Sequence, residues 1–348
     1  MPPSPSRVTQ ADVARRAGVS RTTVSFVLSG REDMRISVEA RQRIMGAARE
    51  LGYRPNLTAQ SLRTRKTYTV GLVSDTVAST HYAGEMLQGA LEAALERDHL
   101  LYFAESGDDP EAERRLLQGM LDRQVDGLIH ASMATRRFRP SEQVRSHPSV
   151  LLNCLDGTGE FACVVPDEEE AGRQAAALLL ESGHREGVHV VGGHHFTAAT
   201  PEGVYAGCAR MRGIEGALSA AGVRAAGVSE CDWSAPEHGY RAVVPLLRAP
   251  ERERPTAFVC SNDRLAFGVY QAAQESGLSV PRDLSVISFD DSELASWLRP
   301  ALTSIALPHR ELGRRAVSLL LSPEGPQPAV HRIPMPVRRR GSIAAPHR

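Results

Sequence analysis

Apolar residues change their spacing near residue 68 of this 348-residue chain. Up to about residue 52 they recur at three- and four-residue intervals in short stretches. Val13, Ala14 and Ala17 fall on one face of a helix that Thr9 opens, with Asp12 at capping-box distance, and Gly18 ends it. Ser20 caps a second helix that turns Val24, Val27 and Leu28 inward and Arg21, Thr22, Ser25 and Phe26 outward. A third helix begins at Ser37, buries Ile44, Ala48 and Leu51, and stops at Gly52. Three such helices can share one small core, and the first two form a helix-turn-helix. Residues 55–65 follow, with Asn56 as a cap and Ala59 and Leu62 on one side of a helix too short to be stable alone in water, so its order is expected to depend on a partner.

From residue 68 the pattern becomes strand, helix, strand. The runs TVGLV, HLLYFA, DGLIHA and SVLLN alternate with helical stretches at 82–97 and 110–123. A second series, GVHVVG, TAFVC and LSVISF, is interleaved with helices near 168–181, 208–221, 236–247 and 263–276. Strands apolar on both faces imply an α/β fold, parallel sheets covered on both sides by right-handed crossovers. About 280 residues is long for one such core and argues for two lobes. Ligands of open parallel sheets bind beyond the carboxyl ends of the strands. The residues there are Ser74 and Asp75, Glu105, Asn153, Asn262 with Asp263, and Asp290 with Asp291. Each Asp or Asn could equally cap the helix that follows.

Charge sharpens the division of the chain. Residues 1–68 carry 13 Arg and Lys against 5 Asp and Glu, and the remainder carries 28 against 36, so a net charge of zero conceals a basic head on an acidic body. A polyanionic partner for the head follows, since arginines and helix-end amides neutralise phosphates and release counterions. No apolar run reaches the length of a membrane span and the leader MPPSPS has no apolar core, so the expectation is a cytoplasmic protein without membrane association. Five cysteines at 154, 163, 208, 231 and 260 have no CxxC spacing and read as reduced packing residues. His184, His189, His194 and His195 cluster only loosely, so no metal is expected. Walker A, GxGxxG, GxSxG and HExxH motifs are all absent from the sequence. Neither a cofactor nor enzymatic activity is therefore expected.

The stretches ADVARRAGVSRTTVSFVLSG, RELGYRPN and LTAQSLR closely resemble the LacI/GalR family of bacterial transcriptional regulators, and the resemblance continues through the rest of the chain. It implies a DNA-binding head over 1–54 and a hinge helix and linker over 55–67. An effector-binding and dimerisation core over 68–341 follows, with a tail at 342–348. The core resembles the periplasmic-binding-protein fold, with lobe 1 near 68–167 and 303–328 and lobe 2 near 168–302 and 329–341. The implied DNA contacts are Thr9, Ser20, Arg21, Thr22, Ser25, Phe26, Asn56, Ala59 and Leu62, with Leu62 wedged in the minor groove. The implied effector contacts are Asp75, Asn153, Arg210, Trp233, Asn262 and Asp290. Arg210 stands three residues before Gly213, as the family's effector arginine stands before a glycine, and CDWSA places Trp233 at its stacking aromatic.

Such a set suits a sugar: arginine and carboxylate or amide bond adjacent hydroxyls, and an indole covers the ring. A purine could use the same groups. The loop 77–82 lacks the usual Asn-Pro-aromatic-aromatic run, Asn153 replaces a common aspartate, and Leu307 stands where glutamine is frequent. VRRRGS reads as an edge strand with solvated arginines, and no leucine heptads follow it, so a homodimer is expected. The implied function is a repressor of a pseudo-palindromic double-stranded operator, controlled by a small effector. The other readings are a regulator responding to a purine or another metabolite, and a solute-binding protein with no transcriptional role.

Overall fold

The computed structural model describes residues 8–28, 35–53, 66–76, 84–196 and 204–347. The chain divides into two units, Met1–Thr67 and Tyr68–Arg348. The first contains α1 (Gln10–Ala17), α2 (Arg21–Leu28) and α3 (Val38–Glu50). Thr9 caps α1 in a full capping box, its amide and hydroxyl donating to the Asp12 carboxylate at 2.9 and 2.7 Å. Gly18 ends the helix at φ +66°, a left-handed conformation in which glycine carries no Cβ penalty. Ser20 Oγ accepts from the Thr23 amide at 3.1 Å and so caps α2. The core is Val13, Ala14, Ala17, Val24, Val27, Ile44, Ala47 and Ala48, with Leu28 and Leu51 packed at its margin rather than inside it. Asn56, Ala59 and Leu62, and the loop 77–82, lie outside the described residues.

In the second unit, β1 (Thr69–Ser74), α4 (Gly84–Leu95), β2 (Leu100–Glu105), α5 (Pro110–Asp122), β3 (Gly127–Phe138), α6 (Glu142–Arg145), β4 (Ser149–Asp156) and β5 (Ala162–Pro166) come first. Next are α7 (Glu168–Glu181), β6 (Val188–Gly192), α8 (Tyr205–Ala220), β7 (Gly227–Glu230), α9 (Pro236–Leu247), β8 (Ala257–Cys260), α10 (Asp263–Glu275), β9 (Ser285–Asp290) and α11 (Glu293–Trp297). The chain ends with β10 (Thr303–Ala306), α12 (His309–Leu320), β11 (Ala329–Ile333) and β12 (Val337–Arg338). One six-stranded sheet has the order β11-β5-β4-β3-β1-β2 and the other β12-β10-β9-β8-β6-β7. Every pairing in them is parallel except that of β12 with β10. Apolar clusters cover both faces of each sheet, which is why the strands read as unbroken hydrophobic runs.

The lobe boundaries differ from the expectation in two places. Thr303–Ala306 pairs with β9 in the second sheet, and Ala329–Ile333 pairs with β5 in the first. The chain therefore crosses after Pro166, after Ala306 and after Ile333, not near 302 and 329. Residues 342–347 are no free tail either. Ser342 is buried, its hydroxyl donates to Val286 O at 2.6 Å, and the Ala344 amide donates to Ser285 Oγ at 3.1 Å. His184 holds the same segment, one ring nitrogen lying 3.0 Å from Thr256 Oγ1 and the other 3.0 Å from Ala344 O. Arg338 and Arg339 are exposed, but Arg340 is half-buried and donates to Asp291 at 2.6 Å and to Leu302 O at 2.8 Å.

Candidate functional site

All three crossings join carboxyl edges. A helix covering a parallel sheet runs antiparallel to its strands, so the passages from β5 to α7 and from β10 to α12 each lead from the carboxyl edge of one sheet to that of the other. β12, antiparallel to β10, starts at the same edge. The two crests of polar residues thus stand opposite one another, the arrangement that places a ligand between sheets.

On the first sheet the crest is occupied with its own architecture. Asp75 accepts from Ser132 Oγ at 2.5 Å, from the Met133 amide at 2.9 Å and from the Thr76 amide at 2.6 Å, with Arg136 at 3.4 Å. Asn153, at φ +56°, accepts from Thr135 Oγ1 and donates to Ser132 O at 3.0 Å and Met133 O at 2.9 Å. Both side chains clamp the stretch where β3 loses register with β4, between Ala131 and Arg136. A bulge frees backbone groups from the ladder, and here two buried side chains satisfy them.

On the second sheet, helices α7 and α8 touch through glycine: a Cβ on Gly172 would lie 2.1 Å from Arg210 O, and one on Gly213 would lie 1.9 Å from Glu169 O. That approach brings Arg210 against Glu168, Nε to Oε2 at 2.7 Å and Nη2 to Oε1 at 3.2 Å, with side-chain exposures of 5% and 2%. Arg210 also donates to Ser261 O, and its guanidinium lies 4.4 Å from the Phe289 ring centroid and 5.6 Å from that of Trp233. The arginine is thus bonded to Glu168, with Asp290 acting on it only as a nearby charge. Sequence reasoning passed over Glu168 because an acidic first turn on α7 looks like ordinary helix-dipole complementation.

Trp233 donates from Nε1 to Gly192 O at 2.9 Å and stacks on His195, centroids 5.2 Å apart. Gly192 is at φ +105°, and a Cβ there would meet Ser261 and the indole nitrogen within 2.7 Å. Asn262 caps α10, accepting from the Leu265 amide at 2.9 Å, while its Nδ2 donates to Trp233 O at 2.9 Å. Asp263 accepts from Ser288, Ser304 and Ser292, which fixes the edge of β9 and β10. Asp290 is in the left-handed region at φ +103°. Burial pushes its carboxyl up to about 7, with Arg210 opposing and Asp263 and Glu168 adding to the rise.

The cysteines are free thiols, and burial raises Cys154, Cys260 and Cys231, the last to about 11. His189 is tied to Ser229 at 2.9 Å and His194 to Glu230 at 2.9 Å. Among the described residues no group of His, Cys, Asp and Glu is placed to hold a metal ion, and no helix is long and apolar enough to cross a membrane.

In the head, Thr9, Ser20, Arg21 and Thr22 are exposed, the last three at the N-terminus of α2, where amides and helix dipole favour an anion. Ser25 and Phe26, expected to face outward, are half-buried one turn further on. Arg15 and Arg16 stay largely exposed, though each has an acidic neighbour, Asp12 at 3.2 Å and Glu50 at 2.7 Å.

A family model described as "Bacterial regulatory proteins, lacI family" matches residues 9–56, and one described as "Periplasmic binding protein-like domain" matches 176–343. Catabolite control protein A of Priestia megaterium is 34% identical over 316 residues, 90% of this chain and 91% of that protein. The HTH-type transcriptional repressor PurR of Erwinia tasmaniensis is 32% identical over 346 residues, 97% of each chain. The crystal structure of the lac repressor dimer bound to operator and the anti-inducer ONPF is 25% identical, with a TM-score of 0.73 across 97% of this chain and 100% of that one. With helix-turn-helix and two-sheet core present in one chain, and identity above 30% along nine-tenths of its length, this protein belongs to the LacI family of bacterial regulatory proteins.

Proposed function

We propose that the chain is a cytoplasmic, non-enzymatic transcriptional repressor that binds a pseudo-palindromic operator as a homodimer and is controlled by a small effector held between the two sheets. The observation that carries this reading is the exposed N-terminus of α2 on a basic head, in one chain with a core whose polar crests oppose each other. Arg21 and Thr22 are assigned to base edges and Phe26 to apolar contact such as a thymine methyl. Asn56, Ala59 and Leu62 are assigned to the hinge. Asp290, Arg210 and Trp233 are assigned to the effector, a sugar or a purine, with Asp75, Asn153 and Asn262 shaping the floor beneath it. The dimer face is assigned to β2 and α4: Leu100, Tyr102 and Phe103 are exposed on the edge strand and Leu91 and Leu95 on the helix that precedes it, more apolar surface than an isolated edge strand ordinarily leaves open.

The test is selection of double-stranded operators from a random pool with the full chain, repeated with Phe26→Arg. A palindromic consensus whose base preference shifts in the variant is the expected result. Enrichment of no motif refutes the repressor reading, and an unchanged preference removes Phe26 from the interface.

A further inference from the structure

Two buried polar side chains at the carboxyl edge of the first sheet have no hydrogen-bond partner among the described residues: Ser74, at its Oγ, and His309, at both ring nitrogens. Ser74 is 0% and His309 7% exposed. They share one face. Val70 and Leu72 point into the core that α4 and α12 cover, and alternation along β1 sends Ser74 the same way. His309 begins the buried stripe of α12 that continues through Leu312, Gly313, Ala316, Val317 and Leu320 over that core. It comes three residues after Ala306, the strand partner of Asp290, at the crossing between lobes. Pro308, the residue before it, offers α12 no side-chain cap, and the Leu312 amide makes the first bond of the helix, so the amides of the first turn have no acceptor within it.

An unsatisfied buried donor or acceptor is costly, and native proteins keep few of them. Three such atoms on one face of one edge, opposite the Arg210 and Asp290 crest, imply something that completes them. Burial also pushes His309 down to about 4, so the ring is neutral at physiological pH and presents one donor and one acceptor. Among the described residues neither group is bonded to an arginine, so a phosphate placed directly against this pair would meet no cation bonded to it and would be strongly disfavoured there.

We propose that His309 and Ser74 form the first-lobe half of the effector site and grip an uncharged group of the ligand that both donates and accepts, such as a sugar hydroxyl or a purine lactam. This rests on the effector-binding reading above and adds to it the uncharged character of the group that meets the first lobe. The complementary half is Arg210 and Asp290, so a bound ligand bridges both lobes and pulls their edges together, giving differential affinity for the two arrangements of the core.

The experiment uses the full chain as wild type, Ser74→Ala and His309→Leu, each melted without ligand and then with D-ribose, cellobiose, hypoxanthine or ribose 5-phosphate. Without ligand, both variants are expected to melt at or above the wild-type temperature, because each removes an unsatisfied group. A fall of about 5 °C or more in both means the groups serve folding and overturns the proposal. With ligand, at least one of the three uncharged probes is expected to raise the wild-type melting temperature, with affinity at least tenfold weaker in both variants. Sugar and purine are distinguished by which of ribose, cellobiose and hypoxanthine acts. A larger shift from ribose 5-phosphate than from ribose that persists in the Glu168→Gln, Arg210→Met double variant overturns the uncharged assignment, because the phosphate is then not held by Arg210; a preference lost in that variant places the phosphate at the arginine and leaves the uncharged group at His309 and Ser74. If no probe shifts the wild type, the sugar-or-purine reading fails, while lowered ligand-free melting would still overturn the role given to His309 and Ser74.

Discussion

Replacing Arg210 by alanine removes the cation against which Glu168 is buried. Both oxygens of Glu168 accept from the guanidinium, and the two side chains are 2% and 5% exposed, so water cannot take over without rearrangement. Breaking a buried pair from one side costs about 3–5 kcal/mol, chiefly because a charge is left uncompensated. The Ser261 carbonyl also loses its donor and Phe289 the cation on its face. For a unit of this size each kcal/mol moves the melting temperature by roughly 2–4 °C, so Arg210→Ala should melt about 10 °C lower. Removing both charges, in Glu168→Gln combined with Arg210→Met, leaves no orphan and should recover most of that loss. Melting by circular dichroism, beside operator titration with and without effector, separates stability from sensing. The double variant should stay folded, bind operator and ignore the effector. Melting of Arg210→Ala within 2 °C of wild type, or a double variant as unstable as the single, would refute the argument that the pair matters through its uncompensated charge.

Asn153→Ala strips the bulge of β3 of three buried hydrogen bonds, and about 2–4 kcal/mol should be lost in urea denaturation; an unchanged midpoint would mean the bulge holds itself. Gly213→Ala drives a methyl to within 1.9 Å of Glu169 O, so α7 and α8 must separate, at a cost of roughly 1–3 kcal/mol, and the α7–α8 contact that seats Arg210 loosens with them; wild-type stability in this variant would contradict the close packing. The folded His309 has its pKa lowered to about 4 from an ordinary 6.5, so the unfolded chain binds the extra proton and stability is lost as pH falls from 6.5 towards 4. Asp290, raised to about 7, acts in the opposite sense: its protonated form is favoured by folding, and its contribution is lost as pH rises from about 4 to 7. The melting difference between wild type and His309→Leu isolates the histidine and should shift by about 3 kcal/mol in favour of the variant across the lower window; a pH-independent difference would show that the ring is not held neutral.

Much of the head was legible residue by residue, because caps and helix stops are local. Thr9 with Asp12, Gly18 at positive φ and Ser20 ahead of α2 each act within four residues, so sequence spacing alone determined the three helices. The same holds for the unbroken apolar runs that became β1, β3, β4, β6, β8 and β9. Which sheet a short strand joins carries no such label. Thr303–Ala306 and Ala329–Ile333 joined the sheets opposite to those expected because their membership depends on hydrogen-bond partners far along the chain. The strand-end residues were recognisable as a crest, but what each does there was settled by geometry. Asp75 and Asn153 turn inward because a bulge 20 residues or more away leaves backbone groups to satisfy. Arg210 meets Glu168, 42 residues earlier, only because glycines let two helices touch. Which buried polar groups find partners, and which, like Ser74 and His309, are left without one, is a property of three-dimensional packing. It cannot be read from a sequence, since every hydrogen bond is local in space and few of these are local in the chain.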